Sequence, residues 1–113
     1  MKKHTLRFRA TNHDTFLALK DGRKRIETRA ATPLYRKIEV GDKIEFVCGN
    51  ERFIKSVATV ELFDSIKQLM RKYTPQDINP KYKSVEELTK MYMSFPDYPE
   101  KLSKYGIIAL ELK

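Results

Sequence analysis

The densest chemistry in this chain lies in one run, Lys20-Asp21-Gly22-Arg23-Lys24-Arg25-Ile26-Glu27-Thr28-Arg29, with five basic and two acidic residues. If residues 25–29 are extended, side chains alternate. Arg25, Glu27 and Arg29 then share one face, and Ile26 and Thr28 share the other. Lys24 reaches in from the preceding turn, with Arg23 beside it. A carboxylate between two cations is held ionised and oriented, and the cations can still meet a phosphate or a carbonyl oxygen. Glu27 in that setting can also accept a hydrogen bond from the amino group of a nucleobase. The competing reading is a solvated, salt-bridged strand face, which charge runs commonly are.

Lys24 has base or nucleophile chemistry open to it as well, because a lysine withdrawn from water gives up its proton more readily. A neighbouring Arg29 acts in that direction and an ionised Glu27 acts against it. At hydrogen-bonding distance the carboxylate should win, so Lys24 reads first as a binding cation. Bases stack on aromatic rings, which makes Tyr35, Tyr82, Tyr92, Tyr98 and Tyr105 candidates for the other half of a nucleic-acid site. Tyr92 falls on the apolar stripe of an expected helix and is assigned to the core. Tyr98, between Pro96 and Pro99, is the better candidate for stacking, with plain packing as its alternative; Tyr105 is open in the same way. Arg7 and Arg9 form a second basic pair, assigned to the surface rather than to a site.

His4 and His13 are the only histidines and Cys48 the only cysteine, so no metal-ligand spacing exists. There is neither a Gly-rich phosphate loop nor a G-x-S-x-G elbow, and no metal or cofactor is expected.

These residues need elements to hold them. Thr5 to Arg9 alternates apolar and basic, as a half-buried strand does. Asn12 is placed to cap a short helix with Asp14 in its first turn, Phe16 and Leu19 on its buried face, and Gly22 at its end. A strand over 25–29 follows, then a loop over 30–40 containing Pro33. Gly41-Asp42 turns into a strand from Lys43 to Cys48, with Ile44, Phe46 and Cys48 on one face; Cys48 reads as a small buried hydrophobe. A hairpin at Gly49-Asn50 leads into a long strand from Arg52 to Leu62, whose expected inner face carries Ile54, Ala58, Val60 and Leu62. Asp64 or Ser65 caps a helix with Ile66, Leu69, Met70 and Tyr73 as its stripe, and Thr74-Pro75 stops it and can open a helical turn. Ser84 and Glu87 match a capping box for the next helix, with Val85, Leu88 and Tyr92 apolar. Pro96 and Pro99 end helicity in a Tyr/Pro loop, and Gly106 to Leu112 closes the chain as a strand. Five strands with few crossover helices cannot form a doubly wound parallel sheet; they suit a mixed α+β fold whose strands curl into a small barrel.

The chain of 113 residues is long enough for one domain, residues 1–113, and for a modest core. No run approaches the roughly 18 consecutive apolar residues of a membrane span. Arginines stand where a signal peptide would need its apolar region, so secretion is not expected. A lone cysteine cannot staple a monomer and fits a reducing, cytoplasmic compartment. Twenty-three Lys and Arg against 15 Asp and Glu give a formal charge of +8, which favours polyanionic partners such as nucleic acid, an anionic membrane or phosphorylated ligands.

Two motifs narrow this further. Gly22-Arg23-Lys24-Arg25-Ile26-Glu27-Thr28-Arg29 resembles the G-x-K-x-hydrophobic-E-x-R half of the ASCH-domain signature. Gly41-Asp42-Lys43-Ile44-Glu45-Phe46 resembles its G-D-x-hydrophobic-x-F half. The resemblance runs from about Leu6 to Leu112, and the chain is similar to small stand-alone prokaryotic ASCH proteins. It implies a PUA-like fold, a five-stranded mixed β pseudo-barrel flanked by short helices. It also implies a basic cleft carrying Lys24, Glu27 and Arg29, with the Gly41-Asp42 turn shaping the cleft's barrel side. RNA or a modified nucleoside is the ligand such a cleft implies, with Arg23 and Tyr98 as further contacts and a monomer favoured. Some small relatives are amidohydrolases that deacetylate N4-acetylcytidine with a lysine, a threonine three residues later and a helical glutamate. Lys24 matches that lysine. Glu27 stands where the threonine would, Thr28 is one position out, and Glu86 or Glu87 is the only acid to offer from the helix. A nucleoside amidohydrolase or a ribonuclease using the same cleft, with Lys24 and Glu27 as catalytic candidates, is therefore the alternative, and a protein-interaction module with an acidic partner is the third reading.

Overall fold

The computed structural model describes every residue from Met1 to Lys113. Its strands are β1 (Lys3–Arg7), β2 (Ile26–Ala30), β3 (Lys43–Cys48), β4 (Glu51–Phe63) and β5 (Ile107–Leu112). Its helices are α1 (His13–Asp21), α2 (Ile66–Leu69), α3 (Pro75–Ile78), α4 (Val85–Ser94) and α5 (Tyr98–Tyr105). The strands form one sheet in the order β1-β3-β4-β5-β2. β1 runs parallel to β3, and every other neighbouring pair is antiparallel. The sheet is mixed and curls into a half-barrel, with β1 and β2 as its free edges.

Sequence chemistry accounts for the joints. Cys48 pairs with Glu51 across a two-residue turn, and Gly49 supplies the positive φ of 60° that such a turn needs. Gly106 enters β5 at φ 78°, and a Cβ there would lie 2.3 Å from the carbonyl oxygen of Phe63, so only glycine fits. The apolar run of β5 reflects burial on both faces. Ile108, Leu110 and Leu112 join Leu6, Phe46 and Val57 inside the curl. Ile107 and Ala109 pack on the opposite side beneath Leu69, Leu88, Tyr92 and Leu102 of the helices. Cys48 is buried inside the curl, as expected.

Several expectations about local structure are corrected. On β4, Ile54 and Leu62 are about half exposed, at 52% and 48%, while Phe53 and Val57 face the core. Phe53 lies opposite Phe46 and stacks on it, and a bulge between Val57 and Thr59 breaks the simple alternation beyond that point. Asn12 makes no capping bond; a 3-10 turn over Ala10–Asn12 leads into α1 instead. α2 ends at Leu69, although Leu69 and Tyr73 are buried as a stripe should be. Thr74 and Asp77 form a reciprocal capping box on α3. On α4 only half of the expected box is made, since Ser84 accepts from the Glu87 amide while the Glu87 carboxylate reaches Lys83 instead. Val85 is 45% exposed and outside the stripe. The expected Tyr/Pro loop is helix: Pro99 sits in the first turn of α5, where a missing N–H costs nothing. No helix is long and apolar enough to cross a membrane.

Candidate functional site

A cavity of about 280 Å³ opens where the end of β1 faces β2, and it is roofed by residues around α3, α4 and the start of α5. At its floor Glu27 sits between two cations. Its Oε1 lies 3.4 Å from Lys24 Nζ and its Oε2 accepts from Arg29 Nε at 3.0 Å. Lys24 is 3% exposed and Glu27 4%, so this is a buried cluster and not a solvated strand face. Lys24 also donates to the backbone carbonyls of Ile26 and Ile78. A neutral amine has only two hydrogens to give, so three acceptors around Nζ select the ammonium form.

Burial dominates the electrostatics of Lys24 and pushes it below the ordinary lysine value. Glu27 pulls it back up, and Arg29 adds a smaller downward push. Glu27 outweighs Arg29, as expected, and desolvation is larger than either, so the net shift is downward. Arg29 moves the other way. Burial opposes its charge, yet Glu27 and the surrounding tyrosines raise it above the ordinary arginine value. Its guanidinium rests 5.1 Å from the Phe8 ring centre and 5.9 Å from that of Tyr35, which fixes its plane. Nε is committed to Glu27, and no protein acceptor takes the Nη hydrogens.

The walls are aromatic. Tyr92, 1% exposed, shares a hydrogen bond between its hydroxyl and that of Thr28. Burial holds the Tyr92 hydroxyl well above the usual tyrosine range. Tyr98 lies nearly parallel to Tyr92, with ring centres 6.4 Å apart, and accepts from the Ala30 amide at 3.4 Å. Phe95 packs edge-on against it. Tyr92 is therefore both core and wall, and Tyr98 lines the cavity from the first turn of α5. Tyr82 lines it as well, whereas Tyr35 braces Arg29 and Tyr105 packs on the inner core.

The structure brings Lys24, Glu27, Arg29 and Tyr98 together and leaves Arg23 out. Arg23 is exposed, bonds through Nε to Asp21 and contributes nothing to the cavity wall, because it sits on the outside of the turn that sends Lys24 inward. The Gly41-Asp42 turn does not shape the cavity either. Asp42 accepts from the Lys2 and Glu39 amides and pairs with His4, which clamps the start of β1 to β3 at the far end of both strands. Those bonds hold its carboxyl well below the usual range. Glu86 and Glu87 are exposed and do not reach the cavity.

Sequence reasoning missed three contributors. Arg7 and Arg9, assigned to the surface, stand exposed on the cavity rim, and neither belongs to any of the ten ion pairs in the fold. Asn79 is buried in the wall, donating to Thr15 and accepting from the Lys81 amide at 3.2 Å each. The alternation of Arg7 and Arg9 was a signal for the rim; nothing around Asn79 marked it.

The fold and this hollow together define an α+β PUA-like pseudo-barrel with a basic, aromatic-walled cavity between its free edges. No family model matches the chain, and no curated protein does. Among solved structures it is similar to the crystal structure of the hypothetical protein PH0355, at 30% identity over all of this chain and 98% of that one, with a TM-score of 0.82. It is also similar to the solution NMR structure of protein PF0455 from Pyrococcus furiosus, at 28% identity over all of this chain and 96% of that one, with a TM-score of 0.74. The chain belongs to the same family as the PH0355 protein.

Proposed function

We propose that this protein is an ASCH-type module that binds RNA, or a modified nucleoside derived from it, by taking one base into the cavity. The carrying observation is the convergence of Lys24, Glu27 and Arg29 on the floor of one aromatic-walled hollow. Its volume, about 280 Å³, falls just under the roughly 300–1,000 Å³ typical of small-molecule sites, which suits a single nucleoside and excludes a duplex. Tyr82 and Tyr98 offer faces for a base, the free Nη hydrogens of Arg29 meet a carbonyl or phosphate oxygen, and Glu27 retains lone pairs for an amino group. Titration with ribonucleosides, N4-acetylcytidine and single-stranded oligoribonucleotides tests it, followed by calorimetry or amide chemical shifts. Arg29→Ala should weaken binding by about tenfold or more, the worth of one charged hydrogen bond. Affinity that is the same in Arg29→Ala and Lys24→Met removes the cavity from the function.

A second reading is hydrolysis of an acylated nucleoside or of RNA, and the burial of Lys24 favours it, since desolvation moves a lysine toward the free amine a base must be. The three acceptors around Nζ work against it by holding the proton. Incubation with N4-acetylcytidine, and separately with labelled RNA, decides the matter. Cytidine plus acetate, or cleaved strand, would establish turnover, and neither product would leave binding alone.

A further inference from the structure

Five cations and one anion line the cavity: Arg7, Arg9, Lys24, Arg29 and Lys81 against Glu27. Their positions divide by depth. Lys24 and Glu27 are buried and satisfy one another, and Lys81 is paired with Asp14 at 3.0 Å. Arg7 and Arg9 are exposed at the mouth with no carboxylate partner, and Arg29 keeps its Nη hydrogens unclaimed. Most Lys and Arg side chains of this chain lack a carboxylate partner; what sets Arg7 and Arg9 apart is that both stand at the mouth of the cavity that Arg29 also lines, where one anion can meet them together. The floor, in contrast, holds its charges in a hydrogen-bonded Lys24-Glu27-Arg29 cluster bounded by aromatic rings, which is an environment a base can enter.

We propose that the guest is a phosphorylated nucleoside, seated base inward with its phosphate held at the rim by Arg7 and Arg9. This rests on the nucleoside-binding reading above and narrows it, because a free nucleoside would leave both rim arginines idle. The phosphate can come from a mononucleotide or from the backbone of a single strand. Both present the same charged oxygens to a guanidinium, which meets them in a planar, bidentate fork. Alternation along the chain places Arg7 and Arg9 on the same side of their segment.

The test compares the common ribonucleosides, their 5′-monophosphates and a short single-stranded oligoribonucleotide on the intact protein. The monophosphate should bind about tenfold or more tightly than its nucleoside, the worth of at least one charge-assisted contact. That preference should shrink as salt rises, while nucleoside affinity stays flat. Arg7→Ala/Arg9→Ala should collapse the ratio of the two affinities toward one. Arg23→Ala/Arg25→Ala, which removes the same charge outside the cavity, should leave the ratio as it was. An oligonucleotide binding above the monophosphate assigns the phosphate to a strand, and the reverse order assigns it to a free nucleotide. Equal affinity for nucleoside and monophosphate, or a preference that survives loss of both rim arginines, overturns this inference while leaving nucleoside binding in place. Failure of every compound to bind removes the underlying function, and the inference with it.

Discussion

Glu27→Gln removes the one negative charge that Lys24 and Arg29 share and keeps the side-chain shape. Lys24 is 3% exposed and cannot turn to water, so its ammonium is left with two carbonyls and no counter-charge. Taking one partner from a buried pair costs about 3–5 kcal/mol. A domain of this size has roughly 6–17 kcal/mol in total, so the loss is a large share of it. At about 4 °C per kcal/mol, the midpoint of thermal unfolding should fall by roughly 12–20 °C. The loss should also depend on pH. Burial sets Lys24 in the folded protein below its ordinary value of 10.5, so between those two values the unfolded chain binds more protons, and stability rises with pH. Removing Glu27 takes away the influence that raises Lys24, so that window extends downward and the variant should gain more stability than the parent as pH rises toward 10.5. Urea titrations across that range measure it. Lys24→Met/Glu27→Gln should be less destabilised than the single changes added together, because the stranded charge is gone. A Glu27→Gln protein within about 3 °C of the parent, with the parent's pH response, refutes the premise of a buried, mutually compensated charge pair.

Three further outcomes follow from particular contacts. Thr28→Val leaves the Tyr92 hydroxyl buried without its partner and should cost about 1–3 kcal/mol in urea unfolding. Asp97 is the only non-glycine residue at positive φ, 63°, and its side chain makes no capping bond, so Asp97→Gly should stabilise by about 0.5–1 kcal/mol, read as a rise of a few degrees in the melting midpoint. Asp42 is held below its ordinary value of 3.8, so its contribution is complete above that pH and is lost as pH falls through the lower folded value; Asp42→Asn should flatten the acid limb of the stability profile, measured by fluorescence or circular dichroism.

What could be read from the sequence was local. Alternation over 25–29 with a lysine in the turn was enough to group Lys24, Glu27 and Arg29, and the paired turn residues gave the β3–β4 hairpin. Burial of Lys24 was not legible, because the carbonyl that helps enclose it belongs to Ile78, 54 residues along the chain. Arg7 and Arg9 are exposed, as read, but their place at the cavity mouth was not legible for a related reason. β1, which ends at Arg7 two residues before Arg9, and β2 are at opposite ends of the sheet order, and only the curl brings them to one mouth. The parity of β4 failed because a bulge is invisible to a two-residue period. Pro99 was read as a breaker when its position made it a starter, a distinction that depends on which side of the proline the helix lies.

The open seam has a mechanical consequence. Strand neighbours lie about 4.8 Å apart, so the four steps from β1 to β2 would span roughly 19 Å in a flat sheet. Yet the Arg29 guanidinium on one margin touches the Phe8 ring just beyond the other at 5.1 Å. Each step contributes its share of twist, and small changes in any of them accumulate at the gap, so the gape of the mouth belongs to the sheet as a whole. A molecule gripped by both lips acts as a clasp, joining the two strands that the hydrogen-bond ladder leaves apart and stiffening every strand between them.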